Sequence, residues 1–314
     1  MKHSSATANG KIILSGEYAV VFGYPGIAVP APIGMQVLFE ETDERSLQWD
    51  GIPDTWKEYT ESIIDHCGEL GGKVNGRITV KNDLPLGKGM GSSTALVIAV
   101  ARCLLGNDCK AQALEIENRM NPGHSGVDFA VIWENAPILF KKNEDPKIID
   151  LKSSLLRGAL LIDTGTPNET TPELVAWVKG REQELMPHLE TIGECTERLQ
   201  KLVTLSPVEV PQALRSIIRR HHRAQAALGV VPATVQELIA AIEGSGGAGK
   251  VLGAGAKTGG GGIVLAIGNK DFKQNGKWKM VGESLLKFNF QFSIYHLPLN
   301  TYGYRNLHSQ HRLH

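Results

Sequence analysis

The sequence predicts an α+β fold, in two domains or one large one. Strand-like and helix-like segments follow one another without the strict β-α-β alternation of a doubly wound sheet. A glycine-rich segment at 84–93 runs directly into a largely apolar helix, and a second at 244–262 runs into an apolar strand. The 314 residues suffice for a sizeable core.

Residues 11–39 hold the β-rich runs KIIL, AVVF and IAV. Gly16, Gly23, Tyr24-Pro25 and Pro30 punctuate them, which predicts a meander of short strands. A helix is expected over about 55–68, followed by Gly71-Gly72, and RITVK at 77–81 alternates like a strand. TALVIAVARCLL reads as a helix ending near Gly106, and a second helix over about 109–120 stops at Asn121-Pro122-Gly123. Residues 129–140 read as strand, interrupted by a turn around Asn135-Ala136-Pro137. A composition shift at 143–153 marks a domain boundary. GALLIDTG is then a buried strand, and long helical segments are expected over 172–204 and 209–228. In the second of these, Leu214, Ile217, Ile218, His221 and Leu228 share one face. A short helix over 233–243 and the strand IVLAIG follow.

Lys plus Arg equals Asp plus Glu, 33 against 33. Net charge therefore gives no electrostatic reason to expect nucleic acid or an anionic membrane as a partner. A small anionic ligand needs only a few local cations. Cys67, Cys103, Cys109 and Cys195 form no Cys-x-x-Cys pair and read as reduced, structural thiols. The opening MKHSSATANG lacks the apolar core of a signal peptide, and no apolar run approaches the ~20 residues of a membrane span. A cytoplasmic protein is expected.

The strongest chemical signal is the loop from Pro85 to Ser93. Gly87, Gly89 and Gly91 permit backbone conformations that other residues resist and let a phosphate approach the main chain. The loop opens into a helix whose first amides lack internal partners, so amides and helix dipole together form an anion site. Ser92, Ser93 and Thr94 add hydroxyls, and Lys88 adds a mobile positive charge. Neither the Walker A ending nor the dinucleotide pattern Gly-x-Gly-x-x-Gly is present. On composition alone, a tight strand-to-helix turn with a serine cap fits equally.

PLGKGMGSSTA resembles the second signature of the small-molecule kinase superfamily named GHMP, after galactokinase, homoserine kinase, mevalonate kinase and phosphomevalonate kinase; Met90 stands at the usual leucine. NGKIILSGEYAVVFGYPGIAVP, NPGHSGVDFAVIWENAPILF, LIDTGTPNETTPELVAWV and GAGAKTGGGGIVLAI resemble other segments of that superfamily, in the same order. The resemblance implies a domain like the second domain of ribosomal protein S5 at 1–155, to which the last strand of the chain often returns in that superfamily, and a ferredoxin-like domain at 156–314. The active site would lie in the cleft between them.

The resemblance also implies roles. Asp128 matches the aspartate that orients and deprotonates the acceptor alcohol. Lys11 would sit beside it and offset charge on the transferring phosphoryl group. ATP would lie on Pro85, Gly87, Lys88, Gly89, Met90, Gly91, Ser92, Ser93 and Thr94. Glu117 and Ser93, or Ser92, would hold Mg²⁺, with Glu115 a competing carboxylate. Glu17, Tyr18, Val21, Ser125, Thr170, Thr171 and Gly255 would contact the acceptor. Thr170 and Thr171 equally suit a helix cap before Pro172. Mevalonate is the acceptor the segments favour, and a homodimer is implied. Gly16-Glu17-Tyr18 is a form more familiar from phosphomevalonate kinases, so phosphomevalonate or another small acceptor stays an alternative, as does a non-catalytic nucleotide or metabolite sensor. Arg219, Arg220, His221, His222 and Arg223 read as a solvated helix face, with His221 toward the apolar side. The His-rich 308–314 reads as a tail without function.

Overall fold

The computed structural model describes residues 3–44, 46–50, 54–71, 74–151, 153–156, 159–202, 209–268, 279–281, 284–287 and 290–296. The His-rich stretch 308–314 lies outside them.

The first sheet grows from one long antiparallel pair, β1 (His3–Ser15) and β2 (Gly26–Glu40). β3 (Ser46–Asp50), β4 (Arg77–Asn82), β5 (Ile138–Phe140) and β6 (Lys147–Ile148) complete it in the order β3-β4-β2-β5-β6, with β1 on β2. The meander of short strands expected over 11–39 is thus two long strands joined by a tight connection. Pro30 does not break β2 because it sits where the register jumps from Lys11↔Pro30 to Asn9↔Gly34. At such an irregularity a missing amide is tolerated.

α2 (Ser92–Leu105) and α4 (Val127–Glu134) pack against this sheet, and α1 (Lys57–Gly71) and α3 (Lys110–Met120) pack on α2 and on each other. α2 is apolar on nearly all sides because it is buried on nearly all sides, with Leu96, Val97, Ile98 and Val100 at 0% exposure. The strand expected over 129–140 is α4 followed by the short β5. Its β-branched and aromatic residues favour strand locally. Gly126, at φ +88, opens a helix instead, and Phe129, Val131 and Ile132 bury in the core.

The second half begins with β7 (Leu160–Asp163). α5 (Thr171–Lys179), α6 (Glu182–Lys201), α7 (Val210–Ala227) and α8 (Ala233–Gly244) follow, then β8 (Ala248–Val251) and β9 (Ile263–Ile267). β10 (Lys279–Val281), β11 (Ser284–Lys287) and β12 (Phe290–His296) complete an antiparallel sheet ordered β10-β11-β12-β7-β9-β8. The single helix expected over 172–204 is two, because Gly180 ends α5 and a new helix starts after Arg181.

Leu214, Ile217, Ile218, His221 and Leu228 are all buried, as their spacing predicts. The basic cluster beside them is not a solvated face throughout. His221 and His222 are buried, Arg219 donates to the Gly247 carbonyl at 2.5 Å, and Arg220 pairs with Glu194. One apolar cluster runs from β1, β2 and α2 through Cys195 and Leu199 of α6 to Leu214 of α7 and Leu265 of β9, so the two sheets share a core. All four cysteines are buried with free thiols. Among the described residues no helix is long and apolar enough to cross a membrane.

Candidate active site

The loop after β4 is shaped by alternating glycines. Gly87, Gly89 and Gly91 have φ of +67, +86 and +72, the left-handed region that residues with a Cβ resist. Gly91 is the N-cap of α2, so the unpaired amides of that helix face the loop. The Gly87 amide donates to Ser92 Oγ at 3.2 Å, folding the loop over the helix start. Met90 is fully buried and anchors the loop, and its carbonyl accepts from the Lys11 amide at 2.9 Å.

That bond ties the loop to β1, where a register shift between Asn9 and Lys11 re-aims the strand. Gly10 permits it, since a Cβ there would lie 2.9 Å from the Met90 carbonyl oxygen. Lys11 is buried, and its Nζ lies 3.1 Å from Asp128 Oδ1. Asp128 stands in the first turn of α4 and keeps 31% of its side chain exposed. A Cβ on Gly91 would meet Lys11 Cγ at 3.0 Å, so lysine and loop are in contact. Ser125 lies in the turn before α4, its Oγ 3.5 Å from the Val127 amide.

Glu117 of α3 is 1% exposed. Its Oε1 accepts from Thr94 Oγ1 at 2.7 Å and its Oε2 from Asn121 Nδ2 at 3.0 Å. Burial, with a smaller contribution from the Asp128 charge, outweighs those two bonds and raises its carboxyl to about 7. Asn121 also donates to the Tyr59 hydroxyl at 3.0 Å, and Ser93 is within hydrogen-bonding reach of that hydroxyl. The competing Glu115 is instead exposed and paired with Arg119 at 2.5 Å. Among the described residues no three His, Cys, Asp or Glu side chains converge as a metal cage. Glu117 and the Ser93 and Thr94 hydroxyls are a hard-oxygen set, which fits a Mg²⁺ that takes few protein ligands and keeps phosphates and waters.

The second half supplies the facing wall. Lys88 Nζ lies 2.6 Å from Asp163 Oδ2 at the end of β7. A cleft of about 290 Å³ opens between Gly87–Gly89 on one side and 167–171 with Ala254 and Gly255 on the other. Thr170 and Thr171 line it, and Thr170 also forms a capping box with Glu173, so the helix-cap reading holds for Thr170. Gly253 lies so close to the cradle that a Cβ on it would meet Gly89 Cα at 2.8 Å. Lys11 and Asp128 sit beside Gly91 rather than in the wall of this cleft.

Two residues expected at the acceptor are occupied inside the protein. Glu17 is 3% exposed; it pairs with Lys250 of β8 and lies 3.1 Å from His221 Nε2. Burial alone would raise its carboxyl, but Lys250 and then His221 outweigh it and hold it at about 2. The buried Tyr18 hydroxyl donates to the Ala254 carbonyl. Val21 is partly buried against the core.

Sequence reasoning missed Asp163, Lys250, Tyr59 and Asn121 as neighbours of the site. Lys250 carried a signal, a lone cation in the otherwise apolar and glycine-rich AGKVLG. Asp163 carried none beyond ending a strand.

Residues 57–133, which hold the cradle, Glu117 and Asp128, match the family described as the GHMP kinases N-terminal domain. The mevalonate kinase of Archaeoglobus fulgidus is 25% identical over 275 residues, covering 83% of this chain and 91% of its own length. That of Thermococcus gammatolerans is 27% identical, covering 83% and 88%. The chain thus carries a GHMP kinases N-terminal domain and is similar over most of its length to mevalonate kinases. The structure aligns with the mevalonate kinase from methicillin-resistant Staphylococcus aureus MRSA252 at a TM-score of 0.64 and 26% identity, over 85% and 90% of the two chains. It shares its fold with the L. major mevalonate kinase solved in complex with R-mevalonate, at a TM-score of 0.71 and 19% identity, over 85% and 88%.

Proposed function

We propose that this protein transfers the γ-phosphoryl group of ATP to the 5-hydroxyl of mevalonate, giving 5-phosphomevalonate and ADP. The observation that carries the reading is the Lys11–Asp128 pair at 3.1 Å, in contact with Gly91 of a glycine cradle at a helix start. An anion site and a carboxylate base placed side by side are what phosphoryl transfer to an alcohol requires.

The triphosphate rests on the loop amides and the N-terminus of α2, with Lys88 as the nearby cation. Asp128 accepts the proton of the acceptor hydroxyl and orients its oxygen. Lys11 holds Asp128 in place and faces the charge that develops on the transferring group. Glu117 and the Ser93 hydroxyl would hold Mg²⁺, which supplies charge neutralisation on the phosphates. Thr171 and Gly255 line the wall facing the cradle and would contact the acceptor. The relatives matched over most of the chain are mevalonate kinases, which supports mevalonate as the acceptor.

The test is ADP release measured against mevalonate, phosphomevalonate, homoserine and galactose, for the wild type and for Asp128→Ala. Turnover on mevalonate that Asp128→Ala abolishes, with nucleotide binding retained, is the expected result. Turnover on phosphomevalonate alone would reassign the acceptor. Equal activity of the variant would remove the mechanism.

A further inference from the structure

The connection after β1 is backbone under strain. Tyr18 has φ +62 and ψ −47, and the Ala19 amide donates to the Glu17 carbonyl at 2.7 Å. A bond between residues i and i+2 around a positive φ is the rare, strained form of the γ-turn. A bulky aromatic residue holds that conformation only where its surroundings over-determine it.

Here they do. Glu17, on one side of the turn, is locked by Lys250 and His221, and Lys250 Nζ also donates to the Ile13 carbonyl at 3.0 Å. On the other side Ala19 is fully buried, and the Val20 amide donates to the Gly16 carbonyl at 3.0 Å. Strand, strained turn and buried ion cluster thus fix the direction of one side chain. The buried Tyr18 phenol donates to the carbonyl of Ala254, a residue that lines the cleft. Ala254 sits between Gly253 and Gly255, whose φ values of +68 and +67 leave little to stiffen that loop from within. The same loop touches Gly89 of the cradle and lines the cleft.

We propose that Tyr18 is a positioning residue: its hydroxyl, aimed by the strained turn, pins the 253–255 loop against the cradle and so sets the gap into which the acceptor fits. This rests on the kinase reading above, and it assigns Tyr18 a role through Ala254 rather than through contact with the acceptor. Glu17 acts one step further back, as the anchor of the turn.

Tyr18→Phe tests it, because the ring and its packing stay while the hydroxyl goes. Amide hydrogen exchange over 253–258 in the free protein is expected to speed up. The acceptor KM is expected to rise roughly five- to tenfold, the range for one lost hydrogen bond, with nucleotide affinity changed less than about twofold. A general loss of stability would instead shift exchange across the protein and weaken both ligands together, which would overturn the proposal. Unchanged loop exchange, or faster exchange with an unchanged acceptor KM, would also overturn it. If the wild type turns over no acceptor in the panel while the loop still loosens, the pinning stands and the kinase reading is what fails.

Discussion

Lys88 of the glycine cradle and Asp163 at the end of β7 form an ion pair of 2.6 Å between the two halves of the molecule, with side chains 21% and 13% exposed. Asp163 Oδ1 also accepts from the Gly165 amide at 2.9 Å, so the carboxylate is held at the start of the facing wall. The main chain follows the same path: the Ile263 amide donates to the Lys88 carbonyl at 3.2 Å. The cradle is therefore fastened to the second sheet by charge and by backbone together.

The two partners of this pair are expected to behave differently when removed. Asp163→Asn releases the lysine toward a bound phosphate, whereas Lys88→Met removes the cation. Each should lower stability by about 1–3 kcal/mol, the range for a partly buried charge-assisted bond. Only Lys88→Met should weaken nucleotide binding as well, by roughly tenfold. Thermal unfolding and calorimetric titration of nucleotide into both variants measure the difference. Equal loss of nucleotide affinity in the two would show that Lys88 serves the fold alone.

For the Lys11–Asp128 pair, Asp128→Asn is the informative change beside Asp128→Ala. Asparagine keeps an acceptor near an ammonium that is only 4% exposed, so folding is preserved better. Turnover is expected to fall about 10²- to 10⁴-fold, the usual contribution of a general base. Nucleotide dissociation constants should move less than about threefold if Asp128 serves the acceptor rather than the nucleotide. Single-turnover kinetics with saturating ATP separate the two.

Glu117 gives a pH dependence with a definite sign. Its carboxyl stands at about 7 in the fold against 4.5 ordinarily, so the folded state binds more protons between those values. Stability from this group is then highest below pH 4.5 and falls as pH rises to about 7, by roughly 3 kcal/mol in all. Glu117→Gln should remove that decline, giving a variant more resistant to denaturant at pH 8 than the wild type. The same variant should bind Mg²⁺–nucleotide more weakly, while wild-type affinity strengthens from pH 6 to 8 as the proton leaves. Denaturant titrations and nucleotide binding at the two pH values check both arms. Higher wild-type stability at pH 8 would contradict the assignment.

The cradle was legible because its chemistry is local. Alternating glycines before an apolar run dictate a left-handed turn at a helix start, and all three do take positive φ. Lys11 and Asp128 lie on distant segments, and only the resemblance joined them; nothing in either residue's neighbourhood encodes a partner brought in by folding. Residues 129–140 misled because VDFAVIWE carries strand-forming side chains whose burial between α2 and β1 decides for a helix. Tyr18 was legible as unusual, but its strained turn depends on Glu17, Lys250 and His221, which come from three separate elements.

That buried cluster supports the last prediction. Glu17 and Lys250 are 2% and 0% exposed, so removing one charge strands the other in the core. Glu17→Leu and Lys250→Met are each expected to destabilise by about 3–5 kcal/mol, the range for an orphaned buried charge. The double change Glu17→Leu with Lys250→Met should recover most of that loss, since neither charge is then left without its partner. The pair also predicts an acid limb. The Glu17 carboxyl is lowered from 4.5 to about 2, so its contribution is complete above pH 4.5 and disappears as pH falls toward 2. Chemical denaturation of the four proteins at pH 7 closes the cycle, and acid titration of the wild type and the double variant isolates the limb. Additive losses in the double variant, or an unchanged acid limb, would mean that the two charges are stabilised separately, by groups other than each other.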